Sequence, residues 1–348
     1  MLFEFESLAH SGELPSVCGF IRAQPEDFVV EEILGFDLSG EGEHFCVWVE
    51  KTGQNTGWVA EQLAAFCGVS LRAVSYAGLK DRHSVSRQWF SVHLPGKADP
   101  PISEFLPSGV RAVKHIRHHR KLKIGCLQGN YFRIKVCSLN GDHGTLDTAL
   151  HRATREGVPN YFGEQRFGFN GNNLEKAVAM FCGDLIPRRA KKSLYLSAAR
   201  SWLFNAVLSE RIRRQCWDNP LDGDVFMLNG SHSVFQSPDA SASEIQNRLA
   251  SGDIHITGPL FGSGQELVTG SAADFERQVL SDYPELTQGL TVAGLKLERR
   301  ALRVIPQELE WDIKGDCLEV TFQLPAGCYA TAVLRELVSY EDISEKAR

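Results

Sequence analysis

Between residues 318 and 324 the chain alternates without a break: Leu318, Val320, Phe322 and Leu324 are apolar, and Glu319, Thr321 and Gln323 between them are polar. Successive side chains of a strand point to opposite faces, so this period of two calls for a half-buried strand, as antiparallel sheets supply. Short β-branched or aromatic runs predict further strands at 28–33, 44–50, 74–77, 88–94 and 131–136. Val59, Leu63 and Phe66 recur at helical spacing after Asn55-Thr56, with Gly68 as the stop. Helices are also expected over 146–156, 194–210 and, after the turn Pro325-Ala326-Gly327, over 330–337. The elements mix without regular βαβ alternation, and neither G-x-G-x-x-G nor G-x-x-x-x-G-K occurs, which disfavours a parallel nucleotide-binding fold. An α+β protein with a substantial antiparallel sheet is the expectation.

At ~150 residues per domain, 348 residues make about two domains. The helical, Arg-rich region from 156 to 304 differs from both flanks, so it reads as a domain inserted into a discontinuous one formed by 1–155 and 305–348. No stretch approaches the ~18 uninterrupted apolar residues of a membrane span, and Glu4 and Glu6 stand where a signal peptide has bases. A soluble, cytoplasmic protein is expected. The closest cysteines, Cys126 with Cys137 and Cys317 with Cys328, lie eleven positions apart with no C-x-x-C. Reduced, mostly buried thiols are the expectation, ahead of a zinc site.

The net charge is −6, from 37 bases and 43 acids, yet its distribution is uneven. Residues 105–141 hold no Asp or Glu, while Arg111, Lys114, Arg117, Arg120, Lys121, Lys123, Arg133 and Lys135 form a basic stripe with His115, His118 and His119 among them. Arg188, Arg189, Lys191, Lys192 and Arg200 form a second cluster, continued by Arg211, Arg213 and Arg214. The region 26–51 is acidic, with Lys51 as its one base. Clustered bases attract a phosphate backbone whatever the global sum, although charge runs are more often solvated faces. Aromatics beside them, Tyr131 and Phe132, then Tyr161, Phe162, Phe167 and Phe169 around Arg166, are what unstacked bases bind to, or ordinary core.

The segment Ala77-Gly78-Leu79-Lys80-Asp81-Arg82-His83 sets one carboxylate between cations directly after a strand. Such neighbours favour an ionised aspartate, which a carboxylate attacking carbon has to be. From these residues alone an ordinary surface loop with ion pairs is the favoured reading. A metal site of Asp81 with the three histidines is the competing chemistry, but His118 and His119 point to different sides of either a helix or a strand, and phosphate contact suits them better. No G-x-S-x-G or H-E-x-x-H offers another enzyme class.

At these residues the chain resembles the TruD tRNA pseudouridine synthases. The likeness is carried by Pro25-Glu26-Asp27-Phe28-Val29-Val30, the Ala77–Asp81 loop, Gly129-Asn130-Tyr131-Phe132, Asn160-Tyr161-Phe162-Gly163-Glu164-Gln165-Arg166-Phe167-Gly168, and Leu324-Pro325-Ala326-Gly327-Cys328-Tyr329-Ala330. The resemblance implies a pseudouridine-synthase-type catalytic domain with a mixed, largely antiparallel sheet over 1–155 and 305–348, plus an inserted α/β TRUD domain over 156–304. It implies isomerisation of uridine, chiefly uridine-13 of tRNA, without cofactor or metal, with tRNA as partner, and with neither a membrane nor an obligate protein partner. The family's nucleophilic aspartate falls on Asp81 and its basic partner on Arg22, where lysine is common. Substrate-pocket positions fall on Phe28, Asn130 and Tyr329, with Phe132 as a candidate for stacking on the base. Tyr329 stands where Phe is commoner, and Ser84 and Ser86 where Ala and Thr are expected.

The glycosidic bond must break, the uracil rotate in place, and ring carbon 5 bond to the ribose. A stacked base has to be extruded first, at a few kcal/mol, and each stacking contact in a pocket returns roughly 1 to 3 kcal/mol. Asn130 suits an imide edge because an amide both donates and accepts. The rival readings are an RNA-binding protein that positions tRNA without modifying it, and a metal-dependent nuclease using Asp81 with the histidines.

Overall fold

The computed structural model describes residues 3–237 and 241–344. The chain divides into two compact units, one of residues 16–146, 306–327 and 338–348, the other of residues 1–15, 147–305 and 328–337.

The first unit is built on a ten-stranded sheet. Its strands are β1 (Cys18–Ile21), β2 (Phe28–Leu34), β3 (His44–Thr52), β4 (Val74–Tyr76), β5 (Val85–His93), β6 (Val110–His118), β7 (Leu127–Asn140), β8 (Gln307–Lys314), β9 (Cys317–Pro325) and β10 (Ser339–Asp342). The order is β8-β9-β7-β2-β5-β3-β6, with β4 beside β5 and β1 between β7 and β10. Only the β1–β10 and β2–β5 pairs are parallel. The sheet is therefore mixed and largely antiparallel, and with its helices the protein is α+β, as the residues predicted.

The alternation of β9 is realised in full: Leu318, Val320, Phe322 and Leu324 are buried and the residues between them half-buried. They lie directly opposite Val136, Ile134, Phe132 and Asn130 of β7, which in turn face β2 with Phe132 opposite Val30 and Asn130 opposite Glu32. A Cβ on Gly129 would collide with the Leu324 carbonyl, so only glycine permits this close approach of β7 to β9. Helix α1 (Thr56–Phe66) lays Val59 and Leu63 on Phe45, Val47, Phe90 and Val92. The alternate residues of β3 and β5 point to the other face, where the rings of Trp48 and Trp89 sit 5.1 Å apart. β4 and β5 pair antiparallel, so residues 77–84 are the connection of a hairpin.

The basic stripe and the cysteines depart from the sequence reading. The basic stripe contains a strand, β6, at the sheet's edge, where exposed charges are a common guard against stray pairing. All nine cysteines are free, as expected, but only Cys46 and Cys216 are buried.

The second unit is organised on the helix α2 (Arg189–Arg213), longer at both ends than its apolar periodicity predicted. Tyr161, Phe162, Phe167, Trp202 and Phe204 are core residues of this unit. The helix expected over 330–337 stops at Leu334, because Arg335 and Glu336 turn inward to bond residues 8–11: Arg335 Nη2 donates to Leu8 O at 2.7 Å, and Ser11 N donates to Glu336 Oε2 at 2.8 Å. Among the described residues no helix is long and apolar enough to cross a membrane.

Arg211 and Asp224 form a wholly buried bidentate pair, at 3.1 and 2.5 Å, and Leu221 N adds a third bond to the carboxylate at 2.7 Å. Removing one partner strands the other charge in a dry core. Asp224→Ala is expected to lower the unfolding free energy by about 3 to 5 kcal/mol in urea titration; a loss below ~1 kcal/mol would mean that Arg211 finds water instead.

Candidate active site

The loop of residues 77–84 is held from below through its backbone. Lys51, with no exposed surface, donates from Nζ to Asp81 O at 2.8 Å and to Gln54 O at 2.9 Å. Ser84 Oγ donates to the same Asp81 carbonyl at 3.1 Å and lies 2.7 Å from Ser86 Oγ, so the two serines that depart from the family pattern join this support. Burial pushes the Lys51 ammonium down to about 8, against the pull of Asp81.

Fixing the backbone leaves the side chain of Asp81 directed but open. Its Oδ1 accepts from His83 N at 3.0 Å and its Oδ2 lies 3.2 Å from Arg22 Nη2, while a third of the side chain stays exposed. Arg22 is buried and follows β1 with a φ of 58°, a left-handed conformation that is uncommon outside glycine. Its Nη1 donates to Asp342 Oδ2 at 2.5 Å, and its guanidinium carbon sits 4.1 Å above the Phe28 ring. The register of β1 on β10, Ile21 opposite Asp342, brings the second acid to Arg22.

Phe28 and Phe132 are both buried, edge to face at 6.4 Å, and Phe132 also packs on Phe322 at 5.5 Å. Asn130 lies on the same face of β7, two residues from Phe132. Its Oδ1 accepts from Lys80 Nζ at 2.7 Å, and Lys80 also pairs with Glu32 Oε1 at 3.0 Å. Glu32 takes a further bond from Trp89 N at 3.0 Å, and burial pushes its carboxyl up while Lys80 draws it down.

Five of the six residues singled out in the sequence, Asp81, Arg22, Phe28, Asn130 and Phe132, belong to one unit; Arg22 contacts Asp81 and Phe28, Phe28 meets Phe132, and Asn130 is bonded to Lys80, the residue before Asp81. Tyr329 belongs to the other unit, where its hydroxyl accepts from Arg166 Nε at 2.8 Å and its ring meets Phe162 edge to face at 5.9 Å. The stretch 160–168 is in that unit as well: the Asn160 side chain donates to Ala301 O at 2.9 Å, and Tyr161 OH to Ala9 O at 2.9 Å.

The basic stripe is partly neutralised. Arg111 pairs with Glu50 at 3.0 Å and Arg117 with Asp99 at 2.5 Å, while His115 and His119 lie 3.7 and 3.6 Å from Asp99 and Glu41. His118 stacks on Phe36. Among the described residues no group of three or more His, Cys, Asp or Glu could hold a metal ion.

Sequence reasoning missed Lys51, Lys80 with Glu32, and Asp342. The signal for Lys51 was its solitude in an acidic region. Asp342 gave none, because only the parallel pairing of two four-residue strands brings it to Arg22.

The chain is similar to known proteins along almost its whole length. The model of the family described as tRNA pseudouridine synthase D (TruD) matches residues 6–185 and 170–337. The tRNA pseudouridine synthase D of Aeromonas hydrophila is 48% identical over 337 residues, covering 97% of this chain and 95% of that protein. That of Hydrogenovibrio crunogenus is 46% identical over 332 residues, covering 94% and 95%. A crystal structure described as tRNA pseudouridine synthase D from Methanosarcina mazei shares the fold, with a TM-score of 0.73 and 21% identity over 97% of each chain.

The Lys51 shift has a measurable sign. From about pH 8 up to the ordinary lysine value of 10.5, the unfolded chain carries a proton on Lys51 that the folded chain has released, so raising pH through that window stabilises the fold, on the order of 3 kcal/mol in all. Urea midpoints of the protein and of Lys51→Met, compared from pH 7 to 10, are expected to differ by an amount that changes along this window. A constant difference would put the ammonium in contact with water.

Proposed function

This chain belongs to the TruD family of tRNA pseudouridine synthases, and from that premise we propose that it isomerises uridine-13 of tRNA through Asp81, acting on an extruded nucleotide. The observation that carries the reading is the exposed carboxylate of Asp81, with one oxygen 3.2 Å from a buried guanidinium and its backbone anchored by Lys51.

In this reading Asp81 is the nucleophile, or the base at the sugar, when the glycosidic bond breaks. Arg22 aligns it and supplies the compensating charge, itself held by Asp342 and by the face of Phe28. RNA closing over the site would remove water from the third of Asp81 that is now exposed, which strengthens the pair. Phe132 gives the uracil an apolar floor and Asn130 reads its edge. Tyr329 enters this reading through the family resemblance alone; its hydroxyl accepts a bond from Arg166. The unit of residues 16–146, 306–327 and 338–348 carries the chemistry.

The other unit grips the RNA. Arg188, Arg189, Lys191 and Lys192 are exposed at the start of α2 with no acid among them, next to the exposed Ile186. Cations at a helix N-terminus oppose the helix dipole, an arrangement that a bound phosphate relieves. Affinity for tRNA accordingly falls as salt rises.

RNA labelled with tritium at uracil carbon 5 tests the chemistry, because bond formation at that carbon releases the label. The protein is expected to release it in the presence of EDTA and to leave the RNA at full length. Asp81→Asn is expected to abolish release while keeping tRNA affinity within about tenfold. Undiminished turnover in that variant would remove Asp81 from the mechanism.

A further inference from the structure

We propose that Lys80 locks the Asn130 amide so that the pocket presents its NH2 group to the O4 carbonyl of the target base, and that this lock selects uracil against cytosine. The inference rests on the synthase reading above and assigns to Lys80 and Glu32 a positioning role in it.

A lysine ammonium has three donors and no acceptor, so the Asn130 atom 2.7 Å from Lys80 Nζ has to be the carbonyl oxygen. Turning the amide over would set donor against donor and forfeit that bond. Lys80 cannot swing away without loss either, because its side chain is 7% exposed and paired at 3.0 Å with Glu32, whose own side chain has no exposed surface. Glu32 in turn is fixed by Trp89 N and by the register that sets it directly opposite Asn130 across β2 and β7. The chain of restraints therefore runs from the sheet backbone through Glu32 and Lys80 to one amide orientation.

Asn130 is half-buried, and with its Oδ1 drawn to Lys80 the amide group left with no hydrogen-bond partner among the described residues is Nδ2. A free asparagine side chain would be indifferent to the identity of a pyrimidine, since it can offer an oxygen to an amino group as readily as an NH2 to a carbonyl. A locked one is not. Uracil carries an acceptor at C4 and cytosine a donor, so a fixed NH2 bonds the first and sets donor against donor with the second. The buried ammonium thus converts an ambivalent residue into a reader of one polarity.

The test is competition binding, by fluorescence anisotropy, of tRNA carrying uridine or cytidine at the modified position, together with tritium release and a melting curve for each variant. The protein is expected to prefer uridine by about tenfold or more. Lys80→Met frees the amide to turn and is expected to bring the preference within about twofold. Asn130→Asp replaces the donor with an acceptor and is expected to reverse it towards cytidine. A purely structural role for Lys80 would weaken both RNAs equally and leave the ratio untouched, and that result overturns the proposal. If Lys80→Met does not fold, the Asn130→Asp ratio decides alone: reversal supports the lock and an unchanged ratio rejects it. A protein that releases no tritium from uridine RNA would sink the synthase reading itself, whereas release with an unaltered ratio in the variants sinks only the lock.

Discussion

One guanidinium serves two carboxylates. Arg22 is buried, bonds Asp342 with one terminal nitrogen, faces Asp81 with the other, and rests on the ring of Phe28. A planar fork gives each carboxylate its own terminal nitrogen in a fixed geometry, which the compact charge of a lysine ammonium on its flexible stem does not impose. The cost is visible in the backbone, for Arg22 adopts a left-handed φ that the flanking strand pair enforces. The direction of the Asp81 carboxylate, and with it any chemistry at this site, depends on that one side chain staying where β1 and β10 put it.

Asp81 itself is restrained unequally. Its carbonyl takes bonds from Lys51 and Ser84, groups with almost no exposed surface, so the loop cannot shift without leaving buried donors unpaired. Its carboxylate, by contrast, is held on one side and open on the other. A hairpin connection can thus be rigid and still leave a group open: the backbone is anchored on buried donors and the carboxylate stays partly exposed. Asn130, on β7, has a similar support, with Lys80 and Glu32 as the buried layer behind its amide.

Much of this was legible in the residues. The alternation of Leu318 to Leu324 predicted a strand whose burial follows it position by position; the short runs at 28–33 and 44–50 fall within strands of the sheet, and 88–94 overruns its strand only by Leu94. Periodicity failed where something other than burial shapes the chain. β6 is an edge strand dressed in bases, so its pattern reads as charge. β1 and β10 are four residues each, too short for any period to show. The helix at Ala330 ends early because Arg335 and Glu336 bond a distant segment of the chain. For the site, motif resemblance pointed to Asp81, Arg22 and Asn130, which fall in one unit of the structure. The groups that hold those residues escaped: Lys51 was marked only as the one base of an acidic region, and Lys80, Glu32 and Asp342 acquire their meaning from strand register, a long-range property that no local spacing encodes.

The most direct measurement is a structure of the protein bound to its tRNA, read for the distance between the Asp81 carboxylate and the nucleotide nearest to it. The expected result is a uridine turned out of the RNA stack, with a carboxylate oxygen within about 3.5 Å of either ring carbon 6 or the anomeric carbon and with Arg22 still on the other oxygen. A uridine left stacked in the RNA, or an Asp81 turned away from Arg22 towards a phosphate or a metal ion, would contradict it.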